Sequence, residues 1–217
     1  MYCLMTDETN LEPGQDAEFF IYGGLFFPID VHVKLNSEID AVRRQAGYRA
    51  DDRLKFDTRV RPEHVTVEAA TEAKKQVVSL CLQLGARFIV YVIHHELART
   101  ETRDNRVCFG CNSVLARFQK FLRGENEYGI VLADTLPVTD GMEYLRSKFA
   151  TGLTFADGRT SKLDRIALYG MTTVGASHAA SAVDIVLGSF RYCVNNPRNK
   201  DAAGEMMKNV INMMWHT

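Results

Sequence analysis

Asp7, Asp134 and Asp184 are the residues of this sequence whose types and surroundings could do chemistry. Asp7 closes the apolar run at the start of MYCLMTDETN, with Glu8 beside it, and Asp134 closes the apolar run in GIVLADT. Asp184 sits amid Ala182, Val183, Ile185 and Val186, where an unpaired buried carboxylate would be costly. It must be ion-paired, hydrogen-bonded, metal-bound or on a narrow polar stripe. Taken singly, Asp7 reads as a turn cap, Asp134 as an N-cap and Asp184 as a helix-surface acid. Taken together they suggest a cage. Convergent carboxylates repel one another when empty, but they suit Mg2+ or Mn2+, which prefer hard oxygen ligands. Such ions on a phosphodiester activate a water and stabilise the leaving oxygen.

The elements that must position these acids follow from the hydrophobic pattern. Tyr2–Thr6 reads as a buried strand, and FFIYGGLFF (Phe19–Phe27) as a second, paired antiparallel across a Pro-Gly turn. Gly23–Gly24 marks a bulge or a close backbone approach. Asp30 can cap a helix over Val31–Gln45 that ends near Gly47, and Pro62 opens a second helix that stops at Gly85. Arg87–His95 is β-branched and aromatic, hence a strand. Arg106–Arg123 reads as a helix without Asp or Glu, and Ile130–Ala133 as a strand that places Asp134 at its carboxyl end. Asp140–Phe149 is a short helix, GLTFADGRTSKLD a polar connection, and Arg165–Gly170 a strand. Ser177 or a neighbour caps a helix over His178–Val194, and Lys200–Trp215 is a last amphipathic helix. The expectation is α/β: a mixed sheet flanked by helices, with a helical insertion after the second strand. Ends of neighbouring strands lie ~5–10 Å apart, so Asp7 and Asp134 could share a site with Asp184 above them.

In that order MTDETN, FFIYGGLFF, GIVLADT and SHAASAVDIVLGSFRY resemble the domain-of-unknown-function-3800 family, which is regarded as ribonuclease-H-like. The resemblance spans about Met1–Asn195 and implies one ribonuclease-H-like domain over 1–217. Its helical insertion would cover about 28–85 and its C-terminal helix about 200–215. It implies a metal-dependent nuclease, with Asp7, Asp134 and Asp184 holding Mg2+ or Mn2+ and Glu8 as a fourth ligand or base. Lys55, within Leu54-Lys55-Phe56, falls where the family tends to show a lysine, which suggests a phosphate contact. The chain departs from the family at Thr9–Asn10, where Ser-Gly is usual, and at Ser181, where Gln is common. It also lacks the acid usual on the helix after the third strand. The competing reading is a non-catalytic scaffold or binding module with a degraded acidic site.

The stretch from Arg43 to Arg61 adds Arg44, Arg49, Arg53, Lys55 and Arg59, a basic loop suited to phosphates, with Tyr48 and Phe56 available for stacking. Arg53 and Arg59 join Lys55 as nucleic-acid contacts; a solvated linker is the plainer reading. Cys108 and Cys111 form a lone CxxC, better read as core or helix-face cysteines than as a zinc or redox pair. His178 could reach a scissile phosphate from the start of the Asp184 helix, although capping or surface histidines are commoner. His94 and His95 point to opposite faces of a strand.

The net charge of −1 argues against wholesale coating of nucleic acid or acidic membrane, and no apolar run is long enough to span a bilayer. Five scattered cysteines and the absence of a signal-peptide pattern lead to the expectation of a reduced, cytoplasmic protein. Nucleic acid, DNA or RNA, is the expected partner. The Met-rich terminal helix (Met206, Met207, Val210, Ile211, Met214 and Trp215) should dock on the core, with a homo-oligomer contact as the minority reading.

Overall fold

The computed structural model describes residues 1–14, 17–155, 157–173, 176–196 and 200–215. Its central sheet is built from β1 (Tyr2–Thr9), β2 (Phe19–Pro28), β3 (Arg87–His94), β4 (Gly129–Asp134) and β7 (Ile166–Thr172). The strand order is β3-β2-β1-β4-β7. β2 runs antiparallel to both neighbours, whereas β1, β4 and β7 are parallel. The expected α/β class, a mixed sheet flanked by helices, is present. α1 (Val31–Gln45) and α2 (Val67–Gln83) are inserted between β2 and β3.

Pleat alternation divides the core. Cys3 and Met5 of β1, with Ile130 and Leu132 of β4, pack under α1, α2, α5 (His178–Asn195) and α6 (Lys200–Met213). Leu4, Phe20, Tyr22 and Val131 face α3 (Arg103–Gly124) and α4 (Gly141–Thr151). Parallel pairing gathers the carboxyl ends of β1, β4 and β7 along one margin, where open α/β sheets bind ligands. Gly23 and Gly24 are a close approach rather than a bulge, because pairing with β1 runs through them unbroken. A Cβ at Gly23 would lie 2.7 Å from Leu187 Cδ1 of α5, so this glycine lets the helix settle onto the sheet.

Four details differ from the sequence reading, two of them helix starts. α2 starts at Val67 rather than Pro62, because the Thr66 side chain accepts from Ala69 N and caps it there. Asp30 stands at the N-cap of α1, but its side chain makes no capping bond. α3 starts at Arg103, capped by Thr102, whose hydroxyl accepts from Asn105 N. The helix therefore does carry an acid, Asp104, in its first turn. The polar connection after α4 contains a small hairpin of β5 (Leu153–Thr154) and β6 (Thr160–Ser161).

α6 docks on the core as expected, burying Val210 and Met213. Beyond it Trp215 N donates to Phe88 O at 2.9 Å, and its ring meets Phe121 edge-on at 5.7 Å. All five cysteines are free; Cys108 and Cys111 lie within α3, with Cys111 buried.

Candidate carboxylate site

β1 and β4 position the first two acids. Their parallel register ends at Thr6↔Ala133, and the next residue on each strand is Asp7 and Asp134. Adjacent strands lie ~4.8 Å apart, so the two residues stand side by side. Both follow the parity of Met5 and Leu132, which directs them to the face covered by α5. Asp184 comes from α5 itself. Asp7 and Asp184 line one cleft of about 100 Å3, together with Glu8, Thr9, Phe56, Asp57, Leu187, Gly188 and Arg191.

Electrostatics ties the three acids together. The Asp7 carboxyl is pushed up to about 7, first by burial and then by the Asp134 charge, with Asp184 adding to it. The amide of Glu8, donating to Asp7 Oδ1 at 2.8 Å, and the Lys55 charge oppose that rise. Asp134 Oδ1 accepts from Thr135 N at 2.8 Å.

Glu8 borders the same cleft and feels the charges of Asp7 and Asp134. Alternation turns its side chain to the α3 face, where its charge acts on Tyr22 and Cys111. Burial and the Asp7 charge push it up to about 8, Arg103 opposes, and its Oε2 is buried without a partner. Strand parity thus turns the Glu8 side chain away from that of Asp7, while both residues border the cleft.

Asp184 is held by a segment that the sequence reading treated only as a basic loop. Phe56 N donates to Asp184 Oδ2 at 2.8 Å, and the buried Lys74 donates to Phe56 O at 2.8 Å. Lys74 Nζ lies 4.6 Å and the Arg191 guanidinium 5.6 Å from the Phe56 ring centroid, so two cations flank that ring. Arg191 also donates to Thr9 Oγ1 at 3.1 Å, tying α5 to the end of β1. Arg191 follows Asp184 by seven residues, two helical turns along the same face, and that spacing is the signal that could have found it.

The other nominated residues fall out as follows. Lys55 is half-buried and its charge reaches Asp7; Arg53 is exposed on the same segment. Arg59 is engaged by Asp57 through a bond of 2.8 Å, and Arg44 by Asp40 at 2.7 Å. Arg61 donates to Val65 O and Thr58 O. Arg43 is not a phosphate contact but a buried anchor, 2% exposed, donating to Asp40, Arg49 O and Asp52 O. Tyr48 is buried rather than available for stacking. His178 lies against α1, with Nε2 3.4 Å from Asp40 Oδ1 and 3.4 Å from Arg43 Nη1. Asp104, outside the sequence reading of its helix, accepts from Thr139 N at 3.3 Å beside the loop that follows β4.

Carboxylate oxygens and mutual repulsion are the donor chemistry and the charge deficit that a divalent cation would answer. Among the described residues, no three His, Cys, Asp or Glu side chains are grouped closely enough to hold an ion as they stand. The residues fit a divalent ion in donor type and charge.

Two measurements follow from this geometry. Asp7 and Glu8 both titrate higher in the folded protein than a free carboxyl. The folded state then binds more protons than the unfolded state between about pH 4 and 8. Without added metal, stability should therefore fall as pH rises through that window and level off above it. Asp7→Asn should flatten the lower part of the fall; a melting temperature that instead climbs from pH 5 to 8 would contradict the raised values. In the second, Gly188→Ala should cost ~1–2 kcal/mol, since its Cβ would lie 2.6 Å from Phe56 Cβ and must push the segment off α5. Chemical denaturation measures that loss, and an unchanged midpoint would mean that Phe56 yields freely.

No family model matches the sequence, and no curated protein matches it. Among solved structures, a mutant of Bst-RNase HIII is similar at a TM-score of 0.47 and 12% identity, over 88% of this chain and 50% of that one. The chain thus spans half the length of that structure.

Proposed function

We propose that this chain is a divalent-metal-dependent phosphodiesterase acting on nucleic acid, related to the domain-of-unknown-function-3800 family. One observation carries the reading: Asp7 and Asp134 stand side by side at the carboxyl ends of adjacent parallel strands, facing Asp184 of α5. Asp7, Asp134 and Asp184 would hold Mg2+ or Mn2+. The bound ion would supply a nucleophilic water and neutralise charge on the leaving oxygen.

The chain's own residues do the remainder. Lys55 and Arg53 approach from the inserted segment and contact backbone phosphates, which position a strand without reading its bases. Arg191 and Lys74 hold Phe56 against α5, and Phe56 N in turn orients the Asp184 carboxylate. The buried Leu187 walls the cleft beside the half-buried Asp7, at the margin where the phosphate would lie.

A second reading has its own observation. Asp184 already accepts from Phe56 N, and the acids are not grouped to hold an ion as they stand. A binding module that keeps the fold and has lost catalysis would look the same. Mn2+ titration by calorimetry, paired with cleavage of labelled RNA and DNA, separates the two. Saturable Mn2+ binding with metal-dependent cleavage supports the nuclease. Strand binding that neither needs metal nor leads to cleavage supports the module.

A further inference from the structure

We propose that the groove between α3 and the β5–β6 hairpin is a second binding surface, for the backbone of a single-stranded nucleic acid. It measures about 550 Å3 and is lined by Arg117, Lys120, Arg123, Arg159 and Phe155, with no acidic residue in its lining. It stands apart from the carboxylate cleft. α3 covers the opposite face of the sheet, and the groove uses the half of α3 that runs toward the amino end of β4.

Charge is the first argument. The chain as a whole carries −1, yet four cations meet here. Arg117, Lys120 and Arg123 recur every three residues, a row rising ~4.5 Å per step along α3. Arg117 donates to the uncharged Val90 O, which leaves its charge unneutralised. Lys120 is exposed and pairs with no acid among the described residues. Arg123 and Arg159 each hold one surface carboxylate, Asp164 at 3.0 Å and Asp157 at 2.7 Å, and neither acid lines the groove. A phosphate backbone would be drawn to such a row and would release counterions on binding.

The second argument is aromatic. Phe155 is 42% exposed at the groove wall, on a hairpin fixed by its own amide donating to Arg159 O at 2.9 Å. A positively charged track with an open aromatic face is the arrangement that takes a flexible strand, because every base offers a face to stack. The choice of nucleic acid as occupant rests on the nuclease reading of the carboxylate end. The surface itself does not. A strand reaching both places must cross the margin of the sheet, so the groove should govern affinity for long strands and leave very short ones unaffected.

The test uses the full chain and fluorescence anisotropy with labelled single-stranded RNA and DNA of about 20 and about 4 nucleotides over a salt series. Lys120→Glu/Arg159→Glu should weaken binding of the long strand at least tenfold. It should also lower the salt slope by ~1.4, two phosphate contacts at ~0.7 each. Phe155→Ala should weaken it about tenfold with the slope unchanged. All three side chains are exposed, and an unaltered Mn2+ isotherm in the double variant would show the far site intact. Equal affinity of wild type and double variant for the long strand would overturn the proposal. So would intact strand binding combined with lost binding to phosphatidylserine vesicles, which would make the surface a membrane contact. If the double variant loses the strand and the wild type never cleaves a small phosphodiester with metal, the groove stands and the nuclease reading falls.

Discussion

Asp134→Asn should bind Mn2+ at least ~100-fold more weakly than wild type and lose metal-dependent cleavage in proportion. Removing a group that merely supports a metal ligand already costs 10–100-fold in affinity or activity, so removing a ligand belongs at or beyond the upper end of that range. The substitution keeps the size of the side chain and its acceptor oxygen toward Thr135 N, so the loop after β4 has no reason to move. It also removes the largest charge acting to raise Asp7. The Asp7 carboxyl should therefore titrate below about 7 in the variant, which carboxyl NMR can follow without any metal. The two readouts check each other. A lowered Asp7 titration with an unchanged Mn2+ isotherm would place the acids together but the ion elsewhere. No change in either would separate Asp134 from Asp7 altogether.

Arg43→Ala should destabilise the protein by ~3–5 kcal/mol, the largest stability effect expected of any residue in the inserted region. The guanidinium is 2% exposed and donates to Asp40 Oδ1 at 3.0 Å, to Arg49 O at 3.1 Å and to Asp52 O. Truncation leaves two carbonyls and a carboxylate without their donor and opens a void beneath them. These carbonyls belong to the segment that continues through Lys55 and Phe56 to Asp184, so loss of the anchor should also weaken Mn2+ binding. Lysine cannot reproduce a planar fork that meets several acceptors, and Arg43→Lys should recover only part of the stability. Urea titrations of the three proteins provide the measurement. A difference under about 1 kcal/mol between wild type and the alanine variant would mean that water replaces the arginine at little cost.

The sequence was most legible where a single period dominated. α1 was read to the residue, and Asp134 was correctly placed at the carboxyl end of β4, because apolar alternation stops there. The juxtaposition of Asp7 and Asp134 was a question of strand neighbours, which the order of elements suggested and the β1–β4 register supplies. What stayed hidden depended on contacts between distant segments. Arg43 and Arg53 look alike in sequence, and only the fold tells that one is buried among carbonyls and the other is exposed. Adjacent residues on a strand face apart, which sets Glu8 against Asp7 despite their proximity in the chain. A hydroxyl cap at Thr102 moved the start of α3 far enough to admit Asp104, and that signal was present in the sequence as Thr-x-x-Asn. The β5–β6 hairpin pairs two residues on each strand, too few for any period to register.

The bond from Trp215 N to Phe88 O bears on how this protein keeps to itself in a crowded solution. β3 ends the sheet on one side, and an unpaired strand is a template on which a foreign chain can add itself. Met214 bridges Phe88 in parallel fashion, so the residues after α6 occupy the start of that template as a chain's own plug. The plug is fastened by the ring of Trp215 set edge-on against Phe121 and by the burial of Val210 and Met213 on α6. At this margin the chain covers the start of its own edge strand with the residues that follow α6.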